Sequence, residues 1–183
     1  MEKLIELAAK VQKTIPGFTL AGGTATMFKY NHRISIDLDF FKDTEFSFNR
    51  LALKVRKNFN VENEERRADN LDMFISGIKV SFVFFPFKSM DKAQIVKGIK
   101  AQSDYDLFLN KIYVAGRRVD PKDPFDAAWL WSKNQWSVNE IKKDFEKKFP
   151  DQSYELYFGA LLSFQDYGML DDWVKEALLK LKP

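Results

Sequence analysis

Residues 20–41 read LAGGTATMFKYNHRISIDLDFF, and this stretch decides the fold. The apolar run 18–21 reads as a short strand, and Gly22-Gly23 ends it. Glycine also lets main chain pass close to a ligand with no Cβ in the way. A helix follows directly, with Thr24 as its expected cap and an end near Tyr30. Its free N–H groups and dipole favour an anion at that end. After a polar loop at 31–35, residues 36–41 (IDLDFF) alternate as a strand does. Ile36, Leu38 and Phe40 fall on one face, and Asp37, Asp39 and Phe41 on the other. The two acids, at i and i+2, therefore project side by side.

Two carboxylates that close repel one another unless a cation lies between them. Mg²⁺ is suited to such a pair, because it takes one or two carboxylates together with phosphate oxygens. Each piece has a plainer reading alone: Gly-Gly as a turn, Asp-x-Asp as the wet face of a strand. Asp37, however, follows Gly23 by 14 positions with a helix between. That unit of strand, glycine turn, helix and strand favours a nucleoside triphosphate held with Mg²⁺ or Mn²⁺.

Outward from this unit, Leu4, Leu7, Ala8 and Val11 mark a helix over 3–14, which Pro16-Gly17 ends. An amphipathic helix is expected at 47–58, then strands near 61–67 and 72–76. Gly77 turns the latter into a strand at 78–85, a hairpin that Pro86 closes. Residues 88–101 place Lys88, Lys92, Lys97 and Lys100 among Met90, Ile95, Val96 and Ile99, read as the wet face of a short helix. From Tyr105 the chain reads as helical, with breaks at 119–124 and Pro150. Trp129, Trp131 and Trp136 are expected as core between the two halves. The expected class is α+β: a small mixed sheet flanked by helices, residues 1–103, with a helical region, 104–183, packed on it.

The chain has 183 residues, 45% of them hydrophobic and 30% charged, which suits a folded globule rather than disorder. It has no cysteine, which removes disulfides, thiolate metal sites and cysteine nucleophiles. One histidine, His32, excludes a histidine-rich metal centre and leaves hard cations on carboxylates. No apolar run approaches the roughly 20 residues that span a bilayer. The opening MEKLIELAAKVQK lacks the form of a signal peptide, so a cytoplasmic location away from membranes is expected. A net charge of +3 allows a phosphate-bearing partner without demanding one.

The segment GGTATMFKYNHRISIDLDFF resembles the AbiEii-type nucleotidyltransferases, toxins of type IV toxin–antitoxin pairs built on the minimal nucleotidyltransferase fold. Residues 106–130, DLFLNKIYVAGRRVDPKDPFDAAWL, resemble the same family, and ALLSFQDYG at 160–168 does so more faintly. The resemblance implies that Gly22, Gly23 and Thr24 form the phosphate-binding turn and that Asp37 and Asp39 hold the metal. It implies a triphosphate contact for Lys111 and a second active-site acid in Asp126. It also implies an NTP substrate, an RNA or tRNA acceptor and a cognate antitoxin.

The residues themselves leave two positions open. Lys111 interrupts an apolar helix, so its ammonium either lies at a cleft or snorkels to solvent. Asp126 follows Pro124 in what reads as a first helical turn, where the dipole alone favours an acid. Arg33 in the loop ahead of the acids is a candidate phosphate or RNA contact, as are Arg117 and Arg118.

One departure stands out. Folds of this kind commonly carry a third carboxylate on a neighbouring strand. The candidate here, IKVSFVFF, has Lys79 and Ser81 on the relevant face and no acid. Lys79 there holds phosphate in place of a metal charge, or is a solvated edge lysine. The functional reading is transfer of a nucleoside monophosphate from an NTP to a hydroxyl. The alternative is a degenerate protein of the same fold that binds a nucleotide or a partner without turnover. A glycosyltransferase using Asp-x-Asp is disfavoured, since it gives the glycine turn and helix no role.

Overall fold

The structure is a computed structural model, and it describes residues 1–182. The chain divides into two compact units. The first comprises Met1–Lys88 and Lys92–Gln102, the second Ser89–Asp91 and the chain from Ser103 onward.

The first unit opens with α1 (Glu2–Thr14), which buries Leu4, Ala8 and Val11 at helical spacing. There follow β1 (Thr19–Ala21), α2 (Gly22–Tyr30), β2 (Leu38–Lys42) and α3 (Phe48–Asn58). Ser47 caps α3, its hydroxyl accepting from the Arg50 N–H at 3.3 Å. Then come β3 (Val61–Arg66), β4 (Asn70–Ile75), β5 (Ile78–Phe84), β6 (Gln94–Val96) and β7 (Ile99–Ala101). These form one seven-stranded sheet in the order β3-β4-β5-β2-β1-β7-β6. It is mixed: β2 runs parallel to β5 and β1 to β7, and the other neighbours are antiparallel.

Alternation along the strands separates two faces. Leu20, Leu38, Phe40, Leu71, Met73, Val80 and Phe82 share one face and are all fully buried. Phe40 stacks on Phe82 at 5.9 Å between ring centres, and Phe18 meets Phe82 edge-on at 5.2 Å. Each such ring contributes about 1.5–3 kcal/mol through burial. The opposite face carries Asp39, Phe41, Asp72, Lys79, Ser81 and Val83, most of them half-buried.

The second hairpin corrects a sequence expectation. Residues 94–101 are not a helix; they form β6 and β7, with Val96 opposite Ile99. Lys97 and Gly98 both take positive φ (51° and 79°), as a two-residue hairpin turn requires. Ile99 is fully buried while Ile95 is 72% exposed. The Gln12 side chain locks this edge, accepting from the Lys100 N–H at 2.7 Å and donating to the Lys100 carbonyl at 2.8 Å.

The second unit holds α4 (Asp104–Ala115), α5 (Lys122–Asn134), α6 (Val138–Lys148), α7 (Tyr154–Leu161), a short 3₁₀ turn (Phe164–Tyr167) and α8 (Asp172–Leu179). Asp106 is its central polar anchor. It accepts from the N–H groups of Met90 (2.9 Å) and Asp91 (3.1 Å), from the Ser103 hydroxyl (2.8 Å) and from the buried Lys148 ammonium. Trp129, Trp131 and Trp136 are half-buried rather than deep core. Trp136 packs on Tyr105 and Phe108, and Trp129 meets Trp173.

Candidate active site

The antiparallel pairing of β1 with β2 sets Ala21 opposite Asp39. Gly22 comes next and has φ +68°, a backbone region that glycine enters without strain. A Cβ there would stand 2.6 Å from Asp39 Oδ2. The Asp39 carboxylate thus rests against the main chain at the first residue of α2. The N-cap residue, Ala21, has no polar side chain with which to cap this helix. The first N–H groups of a helix have no partner inside it, so they remain available to an anion.

Thr24 differs from its expected role. Helix α2 starts at Gly22, and Thr24, inside the first turn, is not its cap. Its hydroxyl donates to the Asp37 carbonyl and lies 2.8 Å from the Ser35 hydroxyl. Thr24 therefore fastens the helix start to the loop ahead of β2. This fastening also shortens the strand. It begins at Leu38, so Asp37 lies just ahead of it and is exposed, and Ile36 is 69% exposed rather than on a buried face. Asp39 is half-buried.

The parallel register of β2 with β5 sets Asp39 beside Ser81, and the antiparallel register of β4 with β5 sets Asp72 beside Ser81. Asp39, Ser81 and Asp72 thus form one lateral row across three neighbouring strands, on the half-buried face. The acid of this row lies on β4, one strand beyond the strand where a third carboxylate is expected. The signal is an aspartate flanked by the apolar Leu71, Met73, Phe74 and Ile75. Asp72 is 2% exposed. Its carboxylate meets the Lys79 ammonium at 2.9 Å and accepts from the Asn70 amide at 2.8 Å. Burial alone would raise its pKa, yet Lys79, Ser81 and Asn70 together hold it below the ordinary aspartate value. Lys79 is therefore an anchored cation and not a freely solvated one.

Elsewhere in the first unit, Arg33 donates to the neighbouring Ile34 carbonyl at 3.0 Å. In the second unit, Lys111 does not snorkel: it is 6% exposed. Its ammonium meets Asp123 at 2.7 Å and Asp126 at 2.8 Å. Burial pulls its pKa down, but the charges of Asp126 and Asp123 outweigh that and hold it above the ordinary lysine value. Asp123 also receives the Arg118 guanidinium in a fork, at 2.9 and 3.0 Å. Helix α5 starts at Lys122, so Asp123 is the first-turn acid and Asp126 lies beyond that turn. Arg117 donates to the Tyr113 hydroxyl at 2.9 Å. Among the described residues no group of three or more acidic or histidine side chains is placed to hold a metal ion.

The sequence model of the nucleotidyl transferase AbiEii toxin, type IV toxin–antitoxin system, matches residues 7–173. The chain belongs to the AbiEii family. It is accordingly a nucleotidyltransferase of a toxin family. The uncharacterized protein aq_aa25 of Aquifex aeolicus (strain VF5) is 29% identical over 153 residues, covering 81% of this chain and 74% of that protein. Among solved structures, the fold is similar to MenT4, the nucleotidyltransferase toxin Rv2826c of Mycobacterium tuberculosis H37Rv. The TM-score is 0.58 at 12% identity, over 100% of this chain and 92% of that one. It is likewise similar to JHP933 from Helicobacter pylori, with a TM-score of 0.56 at 17% identity over 98% and 86% of the two chains. At these identities the likeness concerns the fold. The mixed sheet with flanking helices is the α+β architecture expected for the AbiEii family. No helix among the described residues is long and apolar enough to cross a membrane.

Proposed function

We propose that this AbiEii-family chain is a metal-dependent enzyme that moves a nucleoside monophosphate from an NTP to a hydroxyl of an RNA acceptor, tRNA 3′ ends included. The observation that carries the reading is the Asp39 carboxylate lying against Gly22 where α2 begins. An acid and an anion-favouring helix start then share one spot, which is what a metal–polyphosphate complex requires.

Asp37 and Asp39 are the residues that would hold Mg²⁺ or Mn²⁺, a two-carboxylate set of the kind magnesium accepts with phosphate oxygens completing its shell. The bound cation would supply charge neutralisation on the phosphates. The N–H groups of Gly22, Gly23 and Thr24 receive the phosphates. Arg33 and Lys79 add positive charge on the nucleotide side. Lys111 and Asp126 are assigned by family resemblance to the triphosphate contact and to a second acid. Nearly all the rate enhancement comes from positioning and charge, as in phosphoryl transfer generally. The acceptor oxygen bonds to the α-phosphorus as the bond to the leaving pyrophosphate breaks. The protein works in the cytoplasm, and a cognate antitoxin restrains it.

The test is incubation with each labelled triphosphate, Mg²⁺ and total RNA, comparing wild type with Asp39→Ala. Label transfer to RNA that disappears in the variant is the expected result. Ser81 beside Asp39, where an acid would be expected, favours a second reading of nucleotide binding without turnover. Tight NTP binding with no transfer under any condition would establish that second reading and overturn the first.

A further inference from the structure

Two-metal phosphoryl chemistry clamps the reacting oxygens between cations about 3.5–4 Å apart, and each cation needs its own share of carboxylates. Here the position beside Asp39 holds a hydroxyl, Ser81, and the next acid in the row, Asp72, is already committed to Lys79, Asn70 and Ser81. The two acids assigned to the metal above, Asp37 and Asp39, are enough for one magnesium. The same face meanwhile carries a cation of the chain's own. Lys79 stands two residues before Ser81 on β5, and so on the same face of the sheet as Ser81 and its neighbour Asp39. The Lys79 ammonium is fixed at 2.9 Å by an acid that is itself 3% exposed at its side chain, while the Lys79 side chain is 35% exposed. It is anchored and still reachable. An ammonium has three donors, so one spent on Asp72 leaves two for phosphate oxygens.

We infer that this site works with a single divalent cation, and that Lys79, held in place by Asp72, supplies the second positive charge to the phosphates of the NTP. Lys79 is then a substrate-binding residue and Asp72 a positioning residue that acts through it. The inference rests on the metal-dependent transfer proposed above.

The experiment is a Mn²⁺ titration of the full chain with a non-hydrolysable α,β-methylene NTP, followed by electron paramagnetic resonance. The analogue's affinity is measured with and without Mn²⁺. One Mn²⁺ per complex is expected. Lys79→Ala should weaken the analogue about tenfold in either condition, with Lys79→Arg recovering most of it. Asp72→Asn should weaken it comparably, and the double variant should bind no worse than Lys79→Ala alone. Two Mn²⁺ per complex, an unchanged affinity in Lys79→Ala, or additive losses in the double variant would each overturn the inference. If Asp72→Asn does not fold, the Lys79→Ala and Lys79→Arg pair decides. Asp39→Asn tests the underlying reading separately: full Mn²⁺ binding in that variant removes the metal assignment, whereas the metal-free affinity of the Lys79 variants still reads out the lysine.

Discussion

The carboxylate of Asp39 occupies the space that a side chain on Gly22 would need, with Oδ2 2.6 Å from where a Cβ would stand. The glycine serves the acid as much as the backbone. Gly22→Ala both places an alanine at φ +68° and pushes Asp39 off its position. The backbone cost is about 1–2 kcal/mol. If Asp39 has the role proposed above, a shift of about 1 Å in its carboxylate lowers turnover by roughly 100-fold. Nucleotidyl transfer measured beside thermal melting should therefore show a loss of rate far larger than the loss of stability explains.

The Asp72 carboxylate gives a pH signature. Its folded pKa lies below the ordinary aspartate value, because Lys79, Ser81 and Asn70 outweigh its burial. The stability it contributes is therefore present above the ordinary aspartate range and lost as pH falls through the folded value. Acid unfolding of wild type and Asp72→Asn should differ most near neutrality and converge at low pH. A constant gap down to the acid transition would contradict this.

Lys111 sits between Asp123 and Asp126 with almost no exposure. Lys111→Met leaves two buried carboxylates short of a cation and should cost about 3–5 kcal/mol, read as a lowered midpoint in denaturant unfolding. The pH dependence has the opposite sense to that of Asp72. The folded pKa of Lys111 is raised, so its contribution is complete below the ordinary lysine value of about 10.4 and fades as pH climbs through the folded one. Alkaline melts of wild type and Lys111→Met should draw together only at the top of the accessible range.

A methyl group at Gly116 would meet the Tyr157 ring at 2.4 Å, and Tyr157 is itself stacked on Tyr113 at 5.5 Å. Gly116→Ala should destabilise by about 1–3 kcal/mol through overpacking, measured by thermal melting. In a Tyr157→Ala background the same substitution should cost much less.

The parts of this fold legible in the sequence are those where a short-range rule has one outcome. Gly22-Gly23 between a strand and a helix body, Ser47 before an amphipathic run, and Gly77 between two alternating strands each specify local geometry without help from the rest of the chain. The hairpin at Lys97-Gly98 was obscured because its strands have only three residues each, too few for alternation to outweigh a helix-like spacing of lysines. Apolar residues also misled at Ile36, where the Thr24 hydroxyl holds the Asp37 carbonyl and the strand starts later. The approach of Asp39 to Gly22 was foreshadowed in the sequence because one strand–helix–strand unit holds both, and the β1–β2 pairing sets Ala21 opposite Asp39. Asp72 was not, because its place beside Ser81 depends on strand order, which no local pattern encodes.

Asp106 draws the amides of Met90 and Asp91 into the helical unit, although the residues on either side of that short segment belong to the first unit. The boundary is therefore not a single cut. A fragment starting at Ser103 would forfeit two of the four donors that quiet a buried anion, with Lys148 and the Ser103 hydroxyl left to balance it. Excising the helices as an autonomous piece would require carrying along three amino acids from the middle of the other half.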